Sequence, residues 1–173
     1  MQPDPIANEL SRALKSPSVR NRIAAALARV QGALAARPDQ PQAWEPLSLG
    51  SLGFTIPSEI LSCWIFVLRA GATFGAERHP NSHQRTVALA GAALFELFID
   101  GTWSPWAVGG GTGARGLSPT ISIPPSVWHR IKIGPENFVS VSFHTVGADE
   151  LIEETPLGDD LSTTRQRLYR DHA

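Results

Sequence analysis

The sequence predicts an antiparallel β-sandwich or barrel preceded by a helical segment. Three observations carry this. From about residue 50, short β-prone runs alternate with Gly, Pro, Asn and Asp. Gly and Pro are numerous, at 15 and 14 of 173 residues, which suits a turn-rich β protein better than a helix bundle. Before Pro38, apolar residues instead recur at helical steps. The length fits one compact domain able to bury a real core.

The N-terminal third, residues 1–48, reads as a helical extension. Asp4-Pro5 and Ser16-Pro17 each place a capping side chain before a Pro at the first helical position. After the second pair, Val19, Ile23, Ala26, Leu27, Val30 and Leu34 form one apolar stripe, the mark of a helix packed on a larger body. Pro38 and Pro41 end it. Strands are expected at Ile60–Leu68, Thr86–Leu89, Leu94–Ile99, Thr120–Ile123, Trp128–Ile133 and Phe138–His144, within a barrel spanning residues 49–148. The stretch from Trp103 to Pro119, with its run Gly109 to Gly116, is expected to be a flexible loop. Its glycines match a dinucleotide-binding spacing, but Pro119, Pro124 and Pro125 leave no room for the helix that such a motif must open. Residues 149–173 read as a tail. Asp149, Glu150, Glu153, Glu154, Asp159 and Asp160 suggest a solvated surface, and Ser162 to Arg170 a short capped helix.

Composition narrows the function. Fifteen Lys+Arg against sixteen Asp+Glu leave a net charge of -1, without the basic excess that grips nucleic acid. Hydrophobic content of 42% with 18% charged residues speaks against wholesale disorder. The single Cys63 excludes an internal disulfide framework and a multi-Cys metal site, and its apolar surroundings suggest an inert core thiol. Met1 to Ile6 lacks a secretory signal pattern, and the run Thr86 to Phe95 is too short to span a membrane. A soluble, cytoplasmic protein with no nucleic-acid or membrane partner is expected.

Histidine is the informative residue. His79, His83, His129 and His144 all fall in the strand-rich part, and imidazole with carboxylate is a common metal-binding combination. Glu77 and His79 are two apart, so a strand puts both on one face. His129 lies on a later strand, and a barrel interior brings such positions together. Ser142 and His144 share a strand face too. Trp128, Trp103 and Trp106 are candidates for a pocket mouth or for plain packing.

The spacing Gly71, Glu77, His79, Gln84, Gly91 resembles the first signature of the cupin superfamily, Gly, His-x-His, Glu, Gly. Pro124 to His129 is similar to the second, with Ser126 in place of its Gly. The resemblance covers roughly residues 60–147 and implies an all-β cupin double-stranded β-helix, or jelly-roll barrel. Within the superfamily, Asn81-Ser82-His83 after the second ligand, and Ser142 with His144 on the closing strand, resemble the thiol dioxygenase (cysteine dioxygenase) branch. Here Glu77 stands in the first His slot, Gln84 in the Glu slot and Val146 in the place of the branch's Tyr; the chain's only tyrosine is Tyr169.

The resemblance implies a divalent metal held by Glu77, His79 and His129, with Fe(II) expected and nickel or zinc as substitutes. It also implies a small-molecule substrate and O₂ at open metal positions, and Ser142 and His144 as a hydrogen-bonded pair acting in catalysis. His83 is a further ligand candidate. In the alternative arrangement Glu77 faces solvent, or pairs with Arg78 or Arg85, and His83 ligates in its place. A non-catalytic binding or metal-sensing module, and a metal-assisted isomerase or lyase, are the other functions the scaffold would carry. Cupins often pair, so a homodimer is expected.

Overall fold

The computed structural model describes residues 4–111, 114–158 and 160–172. Helices α1 (Pro5–Leu14) and α2 (Pro17–Ala36) start where the caps predict. The Asp4 carboxylate accepts from the Ile6 and Ala7 amides, and Ser16 accepts from Val19. The strands are β1 (Gln42–Leu47), β2 (Ser62–Leu68), β3 (Thr73–Glu77), β4 (Gln84–Ile99), β5 (Thr102–Gly110), β6 (Thr120–Ile123), β7 (His129–Ile133), β8 (Phe138–His144), β9 (Ile152–Pro156) and β10 (Thr164–Leu168). β1 pairs with β2 along its whole length, so the sheet already begins within residues 1–48.

Strand β4 organises the two layers. Its first half pairs with β8 and β6, and its second half with β7 and β5. One layer therefore runs β1-β2-β8-β4-β6, and the other β5-β4-β7-β3. The turn between them falls at Gly91, whose φ of 71° favours glycine and whose place a Cβ could not share with the Asn137 carbonyl. That bend is why two expected short strands, Thr86–Leu89 and Leu94–Ile99, are one 16-residue strand.

Side chains of β2 and β8 are buried on both faces. Cys63, Ile65, Val67, Val139, Val141 and Phe143 point outward, under Val19, Ile23, Ala26, Val30 and Leu34 of α2. The stripe read from the sequence is thus the lid over the sheet's outer face. Trp64, Phe66, Leu68 and Phe138 point inward, between the layers. Burial pushes the Cys63 thiol up to about 12, as an inert core thiol requires.

Two expectations about the chain's second half are corrected. Residues 102–110 are strand β5, not loop. A Cβ on Gly109 or Gly110 would come within 2.5 Å of Ala114 or 2.6 Å of the Ala88 carbonyl oxygen, so the glycines serve close strand packing. Thr112 and Gly113 of the glycine run lie outside the described residues. The tail holds no helix at Ser162–Arg170. β10 runs antiparallel to β9, with Arg167 opposite Glu153, and a short 3₁₀ turn, Tyr169–His172, follows. This hairpin closes the open seam of the barrel. Arg78, just past β3, forms a two-way backbone bridge with Glu154, and Tyr169 packs its ring against Trp44, Trp64 and Phe66 of β1 and β2.

Candidate metal centre

Between the layers lies a cavity of about 270 Å³. Glu77 ends β3 and His129 begins β7, directly opposite each other, with Leu97 of β4 on the far side of His129. The register shifts between Phe74 and Glu77. This bulge puts both side chains on the cavity wall, where strict alternation would have opposed them. His79 follows two residues on and faces the same way. One ligand atom from each of Glu77, His79 and His129 lies within 4.8 Å of the others, a group able to hold a metal ion.

Both imidazoles are oriented from behind. His79 Nδ1 lies 2.9 Å from the Ile152 carbonyl oxygen, and His129 Nδ1 lies 3.2 Å from that of Val127. A carbonyl only accepts, so each Nδ1 carries a proton, and each Nε2 is the nitrogen left to meet a metal. His129 Nε2 is buried, makes no hydrogen bond and sits 3.3 Å from Glu77 Oε1. These two atoms stand where a shared cation would join them. The donor set, two imidazoles and one carboxylate on one side of a cavity, fits a divalent ion.

His83 stands elsewhere. Its Nε2 is 2.7 Å from Ser122 Oγ and 3.9 Å from Asp4, on the outer face beside α1. Burial, and then the charge of Arg85, lower its pKa. Arg78 pairs with Glu154, and Arg85 with Asp4 and Glu59, so neither draws Glu77 out of the cavity.

Ser142 and His144 both line the cavity, and each bonds a neighbour from another segment. Ser142 Oγ is 2.9 Å from Thr86 Oγ1, which accepts from Gln84 Nε2 at 3.1 Å. His144 Nδ1 is 3.2 Å from Ser82 Oγ. Burial, with His79 and His129 adding repulsion, drives the His144 pKa well below 6.5 and keeps the ring neutral. Trp128 lies beneath the Arg78 guanidinium and Trp103 beneath that of Arg130, packing roles outside the cavity wall.

Residues that the sequence concealed come from the tail. Glu153, read as part of a solvated acidic surface, is 1% exposed, faces the cavity and pairs with Arg167 at 2.9 Å. Burial and then the Glu77 charge raise its carboxyl to about 7. Tyr169 sets its ring 5.7 Å from that of His79, and burial with the charges of Glu77 and Glu153 lifts its pKa well above 10. The period-two placement of Glu153 and Thr155 was the available signal, masked by the charge of the surrounding run.

No family model matches the chain, and no curated protein does. Among solved structures it is similar to the coconut allergen cocosin, with TM-score 0.50 and 18% identity over 66% of this chain and 28% of cocosin. It is likewise similar to a recombinant pro-11S globulin of pumpkin, with TM-score 0.51 and 18% identity over 66% of this chain and 28% of the globulin. The fold is the cupin jelly roll. At this identity the likeness is one of fold. An oxalate oxidase also matches, with TM-score 0.46 and 16% identity over 61% of this chain and 51% of its own. The chain thus spans well under two thirds of the length of these structures. Among its described residues no helix is long and apolar enough to cross a membrane.

Proposed function

We propose that this cupin is a metal-dependent oxygenase of a small molecule, with Glu77, His79 and His129 as the ligands and Fe(II) as the working ion. The observation that carries the reading is the pairing of His129 Nε2 with Glu77 at the wall of the cavity, with both imidazoles pre-aligned by carbonyls. Two His and one carboxylate leave coordination positions open, where such an ion supplies electron transfer between substrate and O₂. Around it the chain's own groups line and orient. Ser142 and Thr86 present neutral hydroxyls, His144 holds an uncharged ring beside His79, and Tyr169 with the β9–β10 hairpin walls one side of the cavity.

Resemblance to thiol dioxygenases makes small thiols the first substrates to try. Elemental analysis of protein purified without added metal, followed by O₂ uptake with a thiol panel, tests the reading. About one first-row ion per chain and substrate-dependent uptake are expected; no metal, even after reconstitution, would overturn it.

A second reading is favoured by Glu153, a carboxyl facing Glu77 that oxygen chemistry does not require. In a metal-assisted isomerase or lyase it would carry the substrate's proton. Turnover without O₂ consumption, lost in Glu153→Gln, would identify that chemistry.

A further inference from the structure

On the proposed metal centre, we infer that the pocket takes a molecule with one metal-binding head and an uncharged aromatic or compact aliphatic body, and not a zwitterionic amino acid. The wall changes character within one step of the ligands. Two residues along from His129, Ile131 lies opposite Phe74 on one side and Phe95 on the other. Beyond them Phe95 meets Phe138 edge to face, with ring centroids 6.3 Å apart, and Phe138 lies opposite Leu68. All five line the cavity. A body lying along this wall touches only carbon.

Charge on the same wall is already committed. Among the described residues lining the cavity, the cations are Arg130 and Arg167. Arg130 makes a bidentate pair with Glu96, at 2.8 and 3.2 Å, and lies over Trp103. Arg167 donates from Nε and a terminal nitrogen to one oxygen of Glu153. A substrate carboxylate away from the metal would have to share one of these arginines with the carboxylate it already holds. A substrate ammonium lying against Phe74, Phe95 and Phe138 would lose its hydration and gain no carboxylate from that wall; the lining carboxylates are Glu77, at the metal site, and Glu153, paired with Arg167. Of the uncharged polar residues on the lining, Thr86 and Ser142 are bonded to each other, and Gln42, Gln84, Ser140 and Thr155 add no charge. A volume of about 270 Å³ sits just below the usual range for drug-sized ligands, which fits a body of single-ring size.

The test holds the head constant and varies the body. The full chain is loaded with Co(II), metal content is measured by chelator competition, and four thiols are titrated against the cobalt absorption: 2-phenylethanethiol, cysteamine, 3-mercaptopropionate and cysteine. 2-Phenylethanethiol is expected to bind at least tenfold more tightly than each of the others. Phe74→Lys, a change on a half-buried edge-strand position, is expected to shift the ratio at least tenfold towards 3-mercaptopropionate. A chain that takes no metal overturns the metal-centre reading instead; the body preference is then read from thermal shifts of the metal-free chain with the same thiols. In either format, equal affinities, a preference for a charged body, or no binding of the aryl thiol overturns the inference.

Discussion

His79 Nδ1 donates to the backbone carbonyl of Ile152 across 2.9 Å, so a ligand of the barrel is aimed by the C-terminal hairpin. The contact belongs to a small clamp. Asn81 Nδ2 donates to the Glu150 carbonyl at 2.7 Å, and its Oδ1 accepts from the Ile152 amide at 3.2 Å. Metal geometry and tail conformation are therefore coupled through residues 79–81.

Asn81→Ala should loosen this clamp without touching a ligand. The Ile152 carbonyl would lose its fixed position, and His79 its orientation. Partners behind metal ligands typically account for tenfold or more in affinity, so a weakening of roughly tenfold is expected. Chelator competition measures it, with an unchanged far-ultraviolet spectrum as the check on folding. Parental affinity would show that the hairpin does not steer His79.

What was legible in the sequence was local. Asp4-Pro5 and Ser16-Pro17 cap helices through contacts two or three residues away, so their spacing suffices. Glu77 and His79 share a face by strand period alone, and His129 follows from the second signature. What was hidden depends on distant partners. Glu153 turns inward because Arg78 and Glu154 bridge two elements 76 residues apart. β10 lacks an apolar alternation, since Arg165, Gln166 and Arg167 stand in it, and its strand form comes from pairing with β9. Tyr169 reaches the cavity only because that hairpin closes the seam.

Glu77→Ala and His83→Ala separate the two ligand sets that the sequence left open. Glu77 contributes an oxygen and a charge at the centre, whereas His83 is bonded to Ser122 on the outer face. Removing Glu77 should weaken metal binding at least roughly tenfold, about 1.4 kcal/mol. Removing His83 should leave it nearly unchanged. Calorimetric titration of both variants with one divalent ion decides, and the reverse result would move the site outward.

His129→Ala should abolish metal binding and keep the fold. Barrel stability comes from apolar burial between and outside the layers, while ion retention needs each donor. The substitution gives up the Nδ1 contact to the Val127 carbonyl and the Nε2 pairing with Glu77, and leaves the apolar clusters intact. The variant should melt close to the metal-free parent and take up no ion. Metal binding at parental strength would make His129 structural.

Glu153→Gln should change the pH dependence of stability in the metal-free chain. Burial first, and the nearby Glu77 charge second, raise the folded carboxyl to about 7 from the ordinary 4.5. Between these values the folded chain holds a proton that the unfolded chain has lost. The stability from this group is therefore complete below about 4.5 and is lost as pH rises through about 7. His144 acts in the opposite sense: its pKa is depressed, so its contribution is complete above 6.5 and is lost as pH falls towards its folded value. Comparing variant with parent isolates Glu153, because His144 is common to both. Melting temperatures taken from about pH 5 to about pH 8 should fall more steeply in the parent than in Glu153→Gln. Adding a divalent ion should shrink the difference, since a cation at Glu77 cancels the repulsion that helps keep Glu153 protonated. Parallel curves with and without metal would mean that Glu153 does not sense the centre.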